Sequence, residues 1–393
     1  MRRLFSLSVV SPLLLAFLVA APRTARAQIT QHVGIPAGSD QDKAIAAINA
    51  ATDPTQKLAL IDKFGSDNPT GDLARLADEL YVDYYVAQKD SAKVYEYGEK
   101  ALALDPDDFD IAVTLVRTAN DAGDTDRMSG YAEKAGAIVQ RYLQQPAPTG
   151  TDADTWGKMR KQAVAGDQDT INYVEYTFFS AAFKVTDPNA KAALMLRYAA
   201  AFPDSQYTAK AEFLAPLSYQ QAKNYPKMIE AANAALVLEP NNVDVLLLLA
   251  DYYSENGVHL DLAQADAKTA LAALGTAKKP DDVTDADWQK QVALQTGLAW
   301  TAIGQVYITQ KNEAQALTAF QTAAPLLKGN PTVYARNEYR LGFALLNLKR
   351  NADAYQAFTA AASVDSPYRA PAQEKIAELQ HAGVGAHTTQ KSQ

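Results

Sequence analysis

The spacing of the apolar residues is the most informative pattern along this chain. They recur every three or four positions from about residue 41 to residue 381, a period that places them on one face of an α-helix. Ala, Leu, Gln, Glu and Lys, which favour helices, are frequent in the same segments. Breaks such as Asp105-Pro106 end one helix before the next begins, because proline cannot continue a helix. The sequence therefore predicts an all-α protein built from many short helices.

A repeat of about 34 residues accompanies this spacing. Its best-preserved unit starts near Gly297 and contains, in order, Trp300, Ile303, Gly304, Tyr307, Ala316, Phe320, Ala323 and Pro331. This series resembles the tetratricopeptide repeat (TPR), in which W-x2-L-G-x2-Y is followed by A-x3-F and a late proline. Similar series start near Arg75, Phe109, Ala209, Val243 and Ala335, and a weaker one covers residues 175–208. The resemblance implies antiparallel helix pairs stacked into a right-handed superhelical solenoid.

A longer duplication overlies the repeats. Thr52-Asp53-Pro54 recurs as Thr186-Asp187-Pro188, and the same offset relates Tyr85 to Tyr219 and Gly123 to Gly257. Residues 52–123 and 186–257 therefore resemble copies of one block of repeats. Growth by block duplication is typical of a scaffold, because added helix pairs lengthen a surface without disturbing an existing site.

The ends of the chain and two longer breaks predict its division into segments. Residues 28–40 are predicted to be a flexible linker and residues 382–393 a disordered tail, because both are polar or contain glycine. Residues 144–154 and 275–287 are predicted connections, in each of which an Asp just before the Trp-bearing segment is expected to cap a helix. The three TPR-like blocks are then residues 41–143, 155–274 and 288–381, the last ending in a capping helix from about Pro371 to Gln380.

Residues 1–27 have the features of a secretory signal peptide. Met1 to Arg3 form a basic start, an apolar run extends from Leu4 to Ala21, and Ala25 and Ala27 supply the small residues of a cleavage site. Cleavage after Ala27 would give a periplasmic or secreted protein. The alternative is a retained membrane anchor, because the run is near the lower length limit for a bilayer span.

Composition narrows the chemistry further. The chain has no cysteine, which excludes disulfides, cysteine-based zinc sites and a lipid-modified cysteine. Residues 1–27 contain four arginines and no acidic residue, so their removal would change the net charge from −8 to −12. Such an acidic chain is not expected to have nucleic acid as its main partner. We expect partners that are other proteins or peptides, and the sequence leaves the oligomeric state open.

Candidate catalytic and metal-binding groups are not found in the sequence. None of the four histidines, His32, His259, His381 and His387, lies beside a candidate nucleophile, and no hydrolase or phosphate-binding motif occurs. The acidic run from Asp105 to Asp110 lacks the glycine and glutamate of an EF-hand loop, so we interpret it as helix caps. The sequence thus predicts no catalytic residue, no metal and no cofactor, and a protein that is not an enzyme.

The resemblance to TPR proteins also predicts a binding surface. In that family the first helix of each pair lines an inner groove through repeat positions 2, 5, 6, 9 and 13. Those positions give as candidate partner-binding residues Lys210, Phe213, Leu217, Gln221, Asp244, Asp251, Arg336, Tyr339, Arg340, Phe343 and Asn347. Arg336 and Arg340 resemble two basic positions of the clamp by which some TPR proteins bind a partner's terminal carboxylate. Thr301 and Gln305 stand where the rest of that clamp is expected, which favours instead a mixed aromatic and basic patch for an acidic or extended peptide.

These features predict a non-catalytic protein-interaction scaffold of the bacterial cell envelope. Ala201 to Ser205 include F-P-D-S, which resembles a motif of periplasmic TPR proteins that act in envelope assembly and cell division. The alternative is a periplasmic protein that binds glycans or small ligands through a tyrosine-rich groove. Tyr85, Tyr219, Tyr253 and Tyr307 occupy a packing position of the repeat, however, and are expected to lie in the core.

Overall fold

A computed structural model describes residues 28–384 of the chain. The predicted signal peptide, residues 1–27, and residues 385–393 of the predicted tail lie outside this range. Within the described range the regular structure is entirely α-helical, with no strand. The chain divides into two compact units, one up to Val174 and one from Glu175. The predicted block boundaries at residues 143 and 274 do not coincide with this division and stay predictions.

The first unit contains seven helices and the beginning of an eighth. In chain order they are α1 (Asp40–Ala50), α2 (Pro54–Asp67), α3 (Asp72–Gln88), α4 (Ser91–Leu104), α5 (Phe109–Asp121), α6 (Thr125–Gln144), α7 (Ala153–Gly166) and α8 (Gln168–Lys184). The division between the units falls inside α8.

The second unit continues from the later part of α8. Its further helices are α9 (Pro188–Ala201), α10 (Thr208–Gln221), α11 (Tyr225–Leu238), α12 (Val243–Asn256), α13 (Leu260–Thr276), α14 (Asp285–Thr309), α15 (Glu313–Leu327), α16 (Pro331–Asn347), α17 (Asn351–Ala362) and α18 (Arg369–His381).

Helices that follow one another in sequence pack against one another. In the second unit α10 pairs with α11, α12 with α13, α14 with α15 and α16 with α17, through connections short enough to make each pair antiparallel. The first helices of successive pairs also contact one another, α10 with α12, α12 with α14 and α14 with α16. This is the arrangement of a helical-repeat solenoid, and the predicted all-α fold class is confirmed.

Polar residues at the helix starts explain where many of the helices begin. Asp108 is buried and accepts a hydrogen bond from the Ile111 backbone N–H at 3.0 Å, while Asp105 is the C-cap of α4. The acidic run between α4 and α5 thus caps two helices, as predicted. Asp152 caps α7 as expected, but α14 is capped by the Thr284 hydroxyl. The side chains that accept such N-terminal bonds include Ser39, Asp53, Asp90, Asp108, Asp124, Asp152, Asp187, Asn242, Thr284 and Asn330.

Glycine in the first helix and phenylalanine in the second determine how closely the last pairs pack. A Cβ atom added to Gly304 would lie 2.6 Å from Phe320, and one added to Gly342 would lie 2.6 Å from Phe358. Both phenylalanines are completely buried. The fully buried Ala316 and Ala323 on α15 also permit the close approach. Small residues at these positions thus allow the two helices of each pair to approach closely.

The amino-terminal segment differs from the prediction of a flexible linker at residues 28–40. Ile29 and Thr30 are buried, and the Arg75 guanidinium donates a hydrogen bond to the Gln31 carbonyl oxygen at 2.7 Å. Arg75 also forms an ion pair with Asp105 at 2.6 Å. The Thr30 hydroxyl also accepts a hydrogen bond from the Asp110 backbone N–H at 3.2 Å, and the polar composition of the segment gave no sign of these contacts.

The carboxyl end of the described range agrees with the predicted capping helix, since α18 covers the last apolar face through Ala372 and Leu379. The predicted disordered tail begins at residue 382, but Val384 still packs against this cluster and its N–H bonds to the Leu379 carbonyl. Among the helices within residues 28–384, none has both the length and the apolar character needed to cross a membrane.

Substitution of Gly342 by alanine tests the close approach of α16 and α17. The added methyl group would overlap the Phe358 ring, so we expect Gly342→Ala to lower the free energy of unfolding by about 1–3 kcal/mol. Gly130 provides a matched control, because it lies inside α6 with nothing within 4 Å of an added Cβ. Gly130→Ala is expected to raise stability by about 0.5–1 kcal/mol, as alanine does in an open helix. Denaturant titration of both variants measures the difference, and equal effects would contradict the packing argument.

Candidate partner-binding groove

The first helices of the second unit form a continuous surface, which we call the inner groove. It consists of the part of α8 from Glu175 onward, followed by α10, α12, α14 and α16. Successive helices from α10 onward contact one another, and the residues that point away from the second helices face the groove. All eleven predicted partner-binding residues lie on these helices, four on α10, two on α12 and five on α16.

Two ion pairs join α12 to α16 across the groove. The Arg336 guanidinium lies 2.9 Å from the Asp251 carboxylate, and Arg340 pairs with Glu255. Each helix contributes its two residues at a spacing of four, which places them one turn apart on the same face. The arginine side chains are 17% and 9% exposed, so both guanidinium groups are largely withdrawn from solvent.

These pairs correct the expectation of a basic patch at the carboxyl end of the groove. A terminal carboxylate of a partner would meet Arg336 and Arg340 already neutralised by acidic side chains of the same chain. Asp244 is engaged too, since its carboxylate accepts a hydrogen bond from the Gln295 amide at 2.7 Å. The structure therefore brings the predicted residues Asp251 and Arg336 together, but the charges in this part of the groove are internally paired.

A depression of about 320 Å³ opens beside the second ion pair. Its walls are formed by Glu255, Gln305, Ile308, Tyr339, Arg340, Phe343 and Tyr368. Three of these residues, Tyr339, Arg340 and Phe343, are among those predicted from the repeat positions. Tyr339 contacts both Phe343 and Tyr368 through its ring, with centroid distances of 5.0 and 5.7 Å. The depression thus offers aromatic edges, one amide and a paired arginine to a ligand.

The other end of the inner groove carries a row of ring contacts that we call the aromatic strip. It consists of Tyr176, Tyr207, Phe179 and Phe183. The Tyr176 and Tyr207 centroids lie 6.2 Å apart, Tyr207 stacks on Phe179 at 4.9 Å, and Phe179 stacks on Phe183 at 6.3 Å. Phe179 is buried, whereas Tyr176 is 57% and Phe183 49% exposed. The two exposed rings leave apolar surface uncovered at both ends of the strip.

Lysines lie over the Phe183 end of the strip. The Lys210 ammonium is 5.8 Å from the centroids of both Phe179 and Phe183, and the Lys191 ammonium is 5.4 Å from the Phe183 centroid. Lys210 was predicted to bind a partner. Of the other predicted residues on α10, Phe213 and Leu217 are half-buried and Gln221 is exposed, and Asn347 at the end of α16 is exposed as well.

The turn between α9 and α10 is attached to α8, the helix that carries Tyr176, Phe179 and Phe183 of the strip. The Ser205 hydroxyl donates to the Glu175 carboxylate at 2.6 Å and shares a hydrogen bond of 2.7 Å with the Tyr198 hydroxyl. Phe202 is buried against Phe178 and Tyr198. The F-P-D-S sequence therefore has a structural role, because its first and last residues, Phe202 and Ser205, attach this turn to α8 and α9.

Several groove residues were missed by the sequence reading. Tyr176 and Phe183 lie 34 residues before Lys210 and Leu217, so extending the repeat positions one unit upstream would have identified both. Glu255 and Tyr368 carry no such signal, since their importance comes from residues far away in sequence. Of the tyrosines expected in the core, Tyr219 and Tyr253 are buried, and Tyr85 and Tyr307 are partly buried.

Comparisons with known proteins found distant structural likenesses only. No protein-family model and no curated protein matches this sequence. A chain of the APC/C hetero-tetramer Cut9-Hcn1 is 14% identical, with 87% of this chain and 64% of that one covered and a TM-score of 0.42. Yeast Tom70 is 10% identical over 91% and 67% of the two chains, with a TM-score of 0.40. The TPR domain of P58(IPK) is 12% identical over 88% and 99%, with a TM-score of 0.31. This chain spans just under two thirds of the length of the first of these.

Removal of one arginine tests the ion pairs across the groove. Because Arg336 is largely buried, its replacement leaves the Asp251 carboxylate without its partner, and we expect Arg336→Ala to lower the free energy of unfolding by about 1–3 kcal/mol. A double-mutant cycle with Asp251→Ala should give a coupling energy of about 1 kcal/mol or more. Arg350→Ala is the control, because the Arg350–Asp353 pair is nearly half exposed and should contribute little. Additive single-mutant effects at Arg336 and Asp251 would contradict the pairing.

The pH dependence of stability follows from a buried carboxyl group on α16. Burial raises the pKa of Glu338 to about 7. The folded protein therefore holds this proton at pH values where the unfolded chain, with its ordinary pKa near 4.5, has lost it. The resulting stability is complete below the unfolded pKa and is lost as the pH rises through about 7. We expect the melting temperature to fall between about pH 5 and about pH 8.

Glu338→Gln should reduce this fall, because glutamine resembles the protonated carboxyl group at every pH. The exposed Glu374 on α18 gives the control variant Glu374→Gln, which should keep the pH dependence of the unchanged protein. Glu79, whose pKa burial also raises to about 7, contributes in the same direction, so Glu338→Gln removes only part of the effect. Identical melting profiles for Glu338→Gln and the unchanged protein would show the prediction to be wrong.

Proposed function

We propose that this chain is an exported bacterial protein of the TPR type and that it acts as a non-catalytic interaction scaffold in the cell envelope. Extended segments of partner proteins would bind along the inner groove of the second unit. The observation that carries this proposal is that the inner groove presents half-exposed aromatic and apolar side chains on successive helices, among them Tyr176, Phe183, Phe213, Leu217 and Phe343. All five keep part of their surface exposed, although Phe343 also contacts Phe358 on α17.

The dimensions of the inner groove suit an extended segment. Packed helices lie about 8–10 Å apart, and an extended chain advances about 3.3 Å per residue. Five successive first helices therefore accommodate about a dozen residues of an extended partner. An aromatic side chain of the partner would fit the depression near Tyr339 and Phe343, where the ring edges and the Gln305 amide offer apolar and hydrogen-bonding contacts.

The cellular location is supported by the amino-acid sequence alone. Residues 1–27 combine a basic start, an apolar run and a small-residue cleavage site. The F-P-D-S sequence at Phe202 to Ser205 resembles that of periplasmic TPR proteins, which is the basis for placing the scaffold in envelope assembly. Cleavage after Ala27 would leave Gln28 at the start of the mature chain, just before the buried Ile29.

A second candidate function is the binding of glycans or small ligands. The exposed Tyr176 and Phe183 rings favour it, because flat aromatic surfaces also stack on sugars. The two functions differ in how much of the inner groove the ligand would contact. A glycan would engage the aromatic strip alone, whereas a protein segment would contact positions along the whole inner groove.

Photocrosslinking distinguishes these functions. A benzoylphenylalanine placed at Gln221 or Asn347, both exposed and 126 residues apart in sequence on α10 and α16, reports on the two ends of the inner groove. In an envelope extract we expect each position to crosslink to the same partner protein, because one extended segment would pass both. The readout is the crosslinked band and its identification by mass spectrometry.

The control positions are Lys268 on α13 and Thr318 on α15, exposed residues on second helices that do not line the groove. They should give no crosslink to that partner. Equal crosslinking from groove and control positions would argue against the groove. The absence of any protein crosslink, together with direct binding of cell-wall glycans, would replace the scaffold with the second candidate function.

A further inference from the structure

The Phe183 end of the aromatic strip combines an exposed aromatic ring with two positive charges. The Phe183 side chain is 49% exposed, and two ammonium groups, those of Lys191 and Lys210, lie within 5.8 Å of its ring centroid. We propose that this end of the strip is the docking site for an acidic segment of the partner, with an aromatic residue stacked on the strip. The inference rests on the proposed function and specifies the chemistry of the partner.

Neither lysine is neutralised by the chain itself. Within residues 28–384, Lys191 and Lys210 form no ion pair with a carboxylate. Asp187 is close to Lys191 in sequence, but its carboxylate accepts the hydrogen bond of the Ala190 backbone N–H at 2.7 Å and caps α9. The aromatic ring therefore supplies the interaction that a carboxylate usually supplies to a lysine.

Two like charges above one ring create a preference for an anion. Each ammonium is attracted by the electron-rich face of Phe183, and two like charges near one ring repel each other. A carboxylate of the partner near the ring would offset that repulsion by pairing with an ammonium. The partly buried ring lowers the local dielectric, which strengthens that interaction compared with one in open solvent.

The opposite end of the strip has the opposite charge and therefore gives a bound segment a direction. Glu175 adjoins Tyr176 in the chain and accepts a hydrogen bond from Ser205 at 2.6 Å, and the exposed Asp204 lies three residues before Tyr207. An acidic residue would be repelled there. The acidic part of the partner segment is thus expected at the Phe183 end and its aromatic residue toward Tyr176.

The experiment uses three labelled peptides and the purified protein. The first contains Asp and Glu around one central Trp, the second has Asn and Gln in place of the acids, and the third has the acids with Ala in place of Trp. Fluorescence anisotropy at low and high salt measures the dissociation constants. We expect the first peptide to bind about tenfold more tightly than either of the others, with the advantage over the second peptide reduced at high salt.

Variants of the chain locate the site. Lys191→Glu/Lys210→Glu should abolish the preference for the acidic peptide, and Phe183→Ala should abolish the preference for Trp. The control Lys268→Glu/Lys278→Glu makes the same change of charge at exposed residues of the same unit and should leave both preferences unchanged. Circular dichroism shows whether each variant keeps its helical structure. Since Lys191 and Lys210 lie at the surface end of the strip, their replacement is expected to preserve the fold.

The outcomes separate this inference from the proposed function. If all three peptides bind equally, or if the lysine variant keeps its preference for acids, the groove binds peptides but the inference is wrong. If no peptide binds, the inference is wrong, whereas crosslinking from Gln221 and Asn347 decides the proposed function separately. If an acidic polysaccharide without aromatic groups displaces the peptide from the unchanged protein and from Phe183→Ala equally well, the site is a general anion site and the inference is overturned.

Discussion

The contact between a phenylalanine of one helix and a glycine of its partner determines how closely the helices of the last two pairs pack. Phe320 lies against Gly304 and Phe358 against Gly342, so closely that even a methyl group on either glycine would overlap the ring. Because the aromatic ring fills the space that a side chain would otherwise occupy, the two helices of a pair approach closely and their relative position is determined. A scaffold whose pairs were held by more flexible side chains would present a less constant surface.

The inner groove follows from the different roles of the first and second helices in packing. The second helices contribute their large residues to the interior of each pair, so the outward-facing side chains of the first helices are free for other roles. At α12 and α16 these side chains form two ion pairs that span α14. Buried pairs of this kind add little net stability compared with apolar contacts, but they penalise any arrangement that separates them. They are therefore suited to fix the distance between helices that are two repeats apart, and they leave the depression beside Tyr339 with a defined shape.

The sequence was sufficient for the features that depend on local chemistry and on the repeat. Helix pairs, caps such as Asp108 and the small residues facing Phe320 all follow from spacing and residue type. The missed features depend on contacts between distant residues. The sequence gives no sign that Arg336 is paired, because its partner, Asp251, is 85 residues away. Ile29 and Gln31 were placed in a linker because their contacts with the first unit leave no periodic pattern. Tyr176 and Phe183 differ from these residues, because they lie in the weakest of the repeats. The repeat pattern there was too faint for the sequence to identify them as groove residues.

The two ends of the inner groove differ in the type of cation that they use, and this difference has a physical basis. Arginine has a planar guanidinium group that forms several directed hydrogen bonds, so it can remain charged in a largely buried ion pair. Arg336 and Arg340 form such ion pairs, so their charges are already neutralised within the chain. Lysine has a compact ammonium group on a flexible stem, which can rest on an aromatic ring while the charge stays near water. Lys191 and Lys210 occupy this second situation and keep their charge available. Lys191 and Lys210 therefore provide a positive charge that can attract a partner. This charge lies at the Phe183 end of the groove, where the sequence alone predicted a single lysine.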